Sequence, residues 1–473
     1  MKQAYYFIGI GGIGMSAIAR YFMHEGCAVG GYDRTPSALC DELEAEGASI
    51  HYEDSVELIG AEFRDPQKTT VIYTPAVPAD HSELCWFRER GFRVVKRSQA
   101  LGVLSEGKYT MAVAGTHGKT TTSTLAAWLN RCVTGGGSAF LGGISKNFSN
   151  NLVLGGGDRL VVEADEFDRS FLQLHPDVAV VTSADADHLD IYGTHEAVKE
   201  AFSQFVGQIR PGGTLIMKLG TDVAVRNDAI EVYSYSCDEP CDFCADNLRL
   251  AEGGHYLYDI VTPSGAIKDC TTGVPGRVNV ENSIAAAAML WAAARRDGRP
   301  LDEAKLREGL ASFSGVRRRF DFYVNTPRQV YMDDYAHHPR ELLATITSVK
   351  AMFPGRRLTA LFQPHLYTRT RDLCDGFAEA LSHADEVVLL PIYPAREEPI
   401  EGVTSEIIAR GVTVPCRIVE RERLADDLAA QEHGLQNHTP LKKFHPLHRF
   451  AHRICAVGVV QQPHRLVEGR IEF

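Results

Sequence analysis

The chain has 473 residues, 44% of them hydrophobic, enough for several cores and, by length, about three domains. Its formal net charge of −12 excludes a dedicated nucleic-acid binder, because phosphate-backbone affinity needs a basic surface. No apolar run approaches the ~20 residues of a membrane span. The eleven scattered cysteines, an odd number, do not make a disulfide framework, so a cytoplasmic protein without membrane insertion is expected.

In chain order, "YYFIGI", "AVGGY", "TVIYT" and "RVVKR" are strand-like runs separated by helical stretches, the sign of a parallel sheet covered by helices. They predict a Rossmann-like first domain over residues 1–102. "GIGGIG" places Gly9, Gly11 and Gly14 in G-x-G-x-x-G spacing after the first strand, and Asp33 ends the second. Glycines there permit a tight turn and close approach to a pyrophosphate at a helix N-terminus, and the acid can take a ribose hydroxyl. A pyrophosphate-bearing ligand is expected, of which a nicotinamide dinucleotide is only one.

A second α/β series, "YTMAVAGT", "RLVVEAD", "DVAVVTSAD" and "GGTLIMKL", leads to the Ala-rich helix around "NVENSIAAAAMLWAAARR". It predicts a central P-loop ATPase-like domain over 103–313 with a mixed or parallel sheet. "GTHGKTT" sets Gly115, Thr116, His117, Gly118, Lys119, Thr120 and Thr121 between strand and helix. Backbone amides of such a loop wrap a β-phosphate, the lysine reaches the β- and γ-phosphates, and the first threonine hydroxyl sits on Mg²⁺. Val113 stands where the usual P-loop has its first glycine, which argues against a plain kinase or GTPase. Two strand ends, "VVEADEFDRS" and "VVTSADADHLD", add Glu163, Asp165, Glu166, Asp185, Asp187 and His188. Acid-rich loops are often mere solvated surface, but ligands of open α/β sheets bind beyond the carboxyl ends of strands. "CDEPCDFC" has zinc-like spacing; Cys237, Cys241 and Cys244 are read as free surface thiols.

A third series, with strands at "QVYMDDY", "RLTALFQP" and "EVVLLPIY", predicts a Rossmann-like C-terminal domain over 314–473. Its tail is atypical from about residue 433: six histidines fall between His433 and His464. "RICAVGVV" could form a strand there, but nothing near it could cover one. A sheet with an uncovered edge, first protease cleavage between Gln431 and His452, a third domain of lowest stability and weak or absent activity are expected.

"GTHGKTTT", "EADEFDRSFL" and "DADHLD", in this order, resemble the Mur ligases, the ATP-dependent amide-forming enzymes of peptidoglycan synthesis. "GIGGIGMS", "GISKNFSNN", "GVRRRFD", "DDYAHHP" and "FQPHLYTRTRD" extend the resemblance from residue 7 to about 405. It implies three domains, UDP-N-acetylmuramate and L-alanine as substrates, and ATP with Mg²⁺. The UDP-sugar replaces NAD at the first cradle: Gly11, Gly12, Gly14, Asp33, Thr74, Ala76 and Arg97. ATP would meet Gly115 to Thr121, Asn279, Arg319 and Asp334. Thr120, Glu163 and His188 would hold metal, and Tyr335, His337, Arg369 and Arg371 the alanine. Lys119, His188 and Arg369 carry the catalytic expectation. Val278, Ser183 and Leu366 depart from common family residues, and the tail lacks the family's glycine-rich turn. A peptide-recycling ligase acting on the same UDP-sugar and an inactive nucleotide-binding homologue are the alternatives. The sequence does not set the oligomeric state; a weak homo-oligomer is compatible with it.

Overall fold

The computed structural model describes residues 3–428, except 75, 327–328, 395–396 and 425, together with the strand 456–461. The chain forms two compact units, residues 1–248, 257–273 and 280–316 in one, and 249–256, 274–279 and 317–473 in the other.

The first unit opens with five parallel strands: β1 (Ala4–Ile8), β2 (Ala28–Tyr32), β3 (Ser49–His51), β4 (Thr69–Tyr73) and β5 (Arg93–Lys96), in the order β3-β2-β1-β4-β5. Both faces of β1 are buried, as its unbroken apolar run requires. Phe7 joins the core under the helix Ile13–His24, while Tyr6 and Ile8 pack with Phe63 and Phe87 on the other face.

The second sheet has ten strands. These are β6 (Tyr109–Ala114), β7 (Ser138–Ser145), β8 (Asn150–Val153), β9 (Arg159–Glu163), β10 (Val178–Val181), β11 (Thr214–Lys218), β12 (Glu231–Ser236), β13 (Phe243–Leu250), β14 (Tyr256–Thr262) and β15 (Gly265–Thr271). Their order is β15-β14-β13-β12-β11-β10-β6-β9-β7-β8. β6 lies between β9 and β10, parallel to both. The loops that follow these three strands therefore leave the sheet on one edge, and they are "GTHGKTT", "EADEFDRS" and "DADHLD".

The two sheets of this unit share one apolar core, running from Phe7 and Ile18 to Ala112, Val162 and Phe202. Polar ties reinforce it. Buried Asn151, from the end of "GISKNFSNN", donates to the Ile13 carbonyl in the first turn of the helix Ile13–His24. Buried Arg20 reaches Asn150, Asn151, Glu42 and Glu46. Of the cysteines expected at the surface, Cys237 and Cys244 are instead buried and Cys241 is half-buried; Cys244 lies on β13, while Cys237 and Cys241 sit in the short connection between β12 and β13. None of the three is in a disulfide.

A buried carboxyl in the first sheet has a measurable consequence. Glu83, 0% exposed, accepts the Tyr6 hydroxyl at 2.7 Å, and the His51 ring lies 3.3 Å away. Burial pushes Glu83 up to about 7, although the Tyr6 hydrogen bond pulls it down. A carboxyl raised in the folded state favours folding when protonated, so that contribution is full below its ordinary value and is lost as pH rises through about 7. His51, lowered by burial, shifts stability the other way, so the readout is a difference. Wild type is expected to lose roughly 3 kcal/mol relative to Glu83→Gln between pH 4.5 and 8.5. Paired thermal melts across that range check it, and a constant difference would refute it.

The second unit carries six strands: β16 (Asp321–Asn325), β17 (Gln329–Asp334), β18 (Arg357–Phe362), β19 (Glu386–Leu389), β20 (Cys416–Ile418) and β21 (Ala456–Gln461), ordered β16-β17-β21-β18-β19-β20. β18, β19 and β20 run parallel, while β21 is antiparallel to both β17 and β18. The strand read in "RICAVGVV" thus forms, and it fills the middle of the sheet instead of leaving β17 and β18 as open edges. The proteolysis expected between Gln431 and His452 concerns residues outside the described ones.

Candidate active site

The loop after β6 is shaped by its glycines. Gly115 has φ +139°, and a Cβ there would collide with the Thr182 hydroxyl. Gly118, at φ +77°, starts the helix Lys119–Thr134. The end of β10 clamps the loop: Ser183 Oγ accepts the His117 N–H at 2.9 Å and lies 2.8 Å from Thr116 Oγ1. The Asp185 N–H donates to Thr116 Oγ1, and the Asp185 carboxylate sits 3.3 Å from the His117 ring. The helix starts at Gly118 with no side-chain cap, and a helix start of this kind suits an anion.

Three carboxylates surround its lysine. Lys119 Nζ donates to Glu166 Oε1 at 2.9 Å and to the Gly115 carbonyl at 2.5 Å. Burial alone would lower Lys119, but Glu166, Asp165 and Glu163 hold it above the usual lysine value, so the ammonium is retained. Glu166 is 1% exposed; burial pushes its carboxyl up, and Lys119 offsets part of that rise. His188, at φ +53°, has its Nε2 3.6 Å from Glu166 and 3.8 Å from Asp187.

Glu163, the last residue of β9, takes the Thr120 hydroxyl at 3.0 Å, the Gly142 N–H at 3.0 Å and the Ser123 hydroxyl at 3.4 Å. A side chain at Gly142 would occupy the space of that carboxylate, so only glycine lets the backbone donate here. Of the expected metal residues the structure thus brings Thr120 to Glu163, and His188 to Glu166. Among the described residues no group of three or more His, Cys, Asp or Glu side chains forms a metal cage. A hydroxyl beside one carboxylate still fits Mg²⁺, which keeps waters and takes most other ligands from phosphates.

The first cradle lies in the same unit. Asp33 Oδ2 accepts the Gly11 N–H at 2.8 Å and Oδ1 accepts the Thr35 N–H, so the expected ribose ligand also braces the turn. Gly12 caps the helix Ile13–His24 without a side-chain bond. Thr74 packs on Gly9, and Ala76 is exposed beyond β4. The Arg97 guanidinium covers Gly14, and its Nη2 donates to Asp165 at 2.8 Å. Burial raises Asp165, but Arg97, Lys119, the Phe167 N–H and His188 outweigh it and hold the carboxyl low.

The remaining expected residues belong to the second unit. Asp334 is buried, accepting the Thr345 hydroxyl at 2.6 Å and the Phe320 N–H at 3.2 Å. Arg318 and Arg319 both stack over the Tyr335 ring, about which His337 also packs. The His337 N–H donates to Glu341, which lies 4.0 Å from Arg319. Arg369 is half-buried on the helix Tyr367–Leu381, whereas Arg371 is exposed and pairs with Asp372. Asn279 spends its amide on the Pro275 carbonyl. Leu366, the departure in "FQPHLYTRTRD", is buried at φ +70° and caps that helix.

The sequence matches the Mur ligase family catalytic domain over residues 4–109, the Mur ligase middle domain over 113–290 and the Mur ligase glutamate ligase domain over 318–437. A UDP-N-acetylmuramate--L-alanine ligase of Parabacteroides distasonis is 52% identical over 430 residues, spanning 90% of this chain and 92% of its own. The chain belongs to the Mur ligase family. An enzyme of the same name from Phocaeicola vulgatus is 51% identical over 86% of this chain and 87% of its own. The crystal structure of a UDP-N-acetylmuramate-alanine ligase from Thermotoga maritima superposes with a TM-score of 0.73 at 25% identity, covering 89% of this chain and 92% of that one.

In this Mur ligase, sequence reasoning missed Ser183, Gly142 and Ser123 as parts of the site, and the pairing of Glu166 with Lys119. The position of Ser183 directly before "ADADH" at a strand end is the signal that points to it. No helix among the described residues is long and apolar enough to cross a membrane.

Proposed function

We propose that this Mur ligase joins L-alanine to UDP-N-acetylmuramate at the expense of ATP, in the cytoplasm and in the service of peptidoglycan synthesis. The observation that carries the reading is the convergence of Lys119, Thr120, Glu163 and Glu166 at the ends of two adjacent parallel strands, β6 and β9, beside a second glycine cradle under Arg97. The close relatives named for this reaction support it.

The muramate carboxylate attacks the γ-phosphorus of ATP and releases ADP, leaving an acyl phosphate. The alanine amine then attacks the acyl carbon, loses a proton, and phosphate departs. No enzyme nucleophile is needed; positioning and charge neutralisation suffice. The loop Gly115–Gly118 binds the ATP phosphates through its amides, and Lys119 neutralises charge on the transferred group. Thr120 and Glu163, with His188, are the residues to hold Mg²⁺, which when bound supplies further neutralisation of phosphate charge. Gly11, Gly12, Gly14 and Arg97 receive the UDP diphosphate. Asn279, Arg319 and Asp334 serve ATP, and Tyr335, His337, Arg369 and Arg371 the alanine carboxylate, for which an arginine fork is suited. Domains over 1–102, 103–313 and 314–473 divide the work.

Phosphate release tests the reading. It should require ATP, UDP-N-acetylmuramate and L-alanine together. Release that prefers a preformed peptide over L-alanine, or none at all, would overturn it.

A further inference from the structure

Arg97 is pulled two ways. One guanidinium nitrogen faces Gly14, where an added Cβ would come within 2.4 Å of Nη1, and the other donates to Asp165 at 2.8 Å. Its backbone is fixed as the first residue of the helix Arg97–Ser105, whose start is capped by Gln99 accepting the Lys96 N–H. What remains to be set is the far end of a long side chain, and Asp165 sets it. The carboxylate is itself held: Oδ1 accepts the Phe167 N–H at 3.1 Å, and the Asp165 carbonyl takes the Phe171 N–H at 2.8 Å. Glu163 and Glu166, on either side in the same loop, turn to Thr120 and Lys119 of the other cradle. A neighbouring pair, Lys96 with Asp168 at 2.8 Å, joins the same two segments. Asp168 and Arg169 have φ of +51° and +55°, a costly backbone for non-glycine residues that this loop sustains.

We infer that Asp165 is the positioning residue for Arg97, holding its guanidinium over the helix start at Gly14 so that it meets the diphosphate of the sugar nucleotide. This rests on the reading of the first cradle as the UDP site. The acid loop of the ATP-binding domain thereby reaches into the other substrate's cradle. The pair is partly exposed, with side chains 21% and 35% accessible, so the effect is moderate.

Calorimetric titration of the whole chain with UDP, without ATP, tests this and needs no turnover. Asp165→Asn should weaken UDP binding by about tenfold, and Asp165→Glu by less than about threefold. Arg97→Ala should weaken it at least as much as Asp165→Asn, and the double variant Arg97→Ala/Asp165→Asn no more than Arg97→Ala alone. Asp168→Asn, which breaks only the neighbouring pair, should stay within about twofold of wild type. Unchanged affinity in a folded Asp165→Asn, additive losses in the double variant, or an equal loss in Asp168→Asn would overturn the inference while leaving the cradle assigned. A wild-type chain that fails to bind UDP would remove the cradle reading itself.

Discussion

Replacing Lys119 by alanine is expected to cut turnover by at least about 100-fold, and up to about 1000-fold, while leaving UDP-N-acetylmuramate affinity within a few-fold. The ammonium is held charged by Glu166, Asp165 and Glu163, and it projects from the first turn of the helix that opens at Gly118. Charge that develops on a transferred phosphoryl group has no other described lysine at this loop. The UDP cradle depends on Gly11, Gly14 and Arg97 instead, so its affinity should survive. Removing Lys119 also strands Glu166, 1% exposed, as a buried carboxylate without its ion pair. That imbalance costs about 3 kcal/mol of stability. The double variant Lys119→Ala/Glu166→Gln should recover most of that stability and none of the turnover, which separates chemistry from folding. Full turnover in folded Lys119→Ala, or loss of UDP-sugar binding in it, would contradict the assignment.

Much of this site was legible because glycine spacing and strand ends have a direct structural meaning. Gly115 and Gly118 do take conformations that favour glycine, and β6, β9 and β10 do lie side by side and parallel, so three loops read as phosphate- and metal-seeking share one edge. The directions of individual acids were not legible. Glu163, Asp165 and Glu166 sit within four residues, yet one meets Thr120, one Arg97 and one Lys119. Their loop has no helical or strand period from which facing could be deduced, and two left-handed residues follow. The Gly142 amide was invisible for a different reason: it comes from β7, a strand whose neighbour in the sheet cannot be named from its own pattern. The exposure of the thiols was not legible because "CDEPCDFC" looks like a solvated polar loop, whereas Cys237, directly after β12, and Cys244, on β13, are both buried. The same limit applied to β21, whose partners lie about a hundred residues upstream.

Placing proline at Gly458 is the second change expected to have a large effect, and it tests that central strand. Gly458 stands opposite Met332 on β17 and Ala360 on β18, in the middle of a six-residue strand paired on both sides. Proline removes an N–H from the ladder and forces a ring against a neighbouring strand, so a cost of roughly 3 kcal/mol or more is expected. The consequence reaches the candidate site through register. Ala456 pairs with both Asp334 and Phe362, the last residues of the two strands that lead into "DDYAHHP" and "FQPHLYTRTRD". β21 is thus the shared neighbour that fixes one motif against the other within the second unit. Gly458→Pro should strip hydrogen-exchange protection from Val330–Asp334 and Leu358–Phe362 and reduce turnover by at least about tenfold. UDP affinity, a property of the first unit, should stay within about twofold, because that unit has its own core. Protection and turnover both at wild-type level would show that the sheet holds β17 and β18 in register without β21.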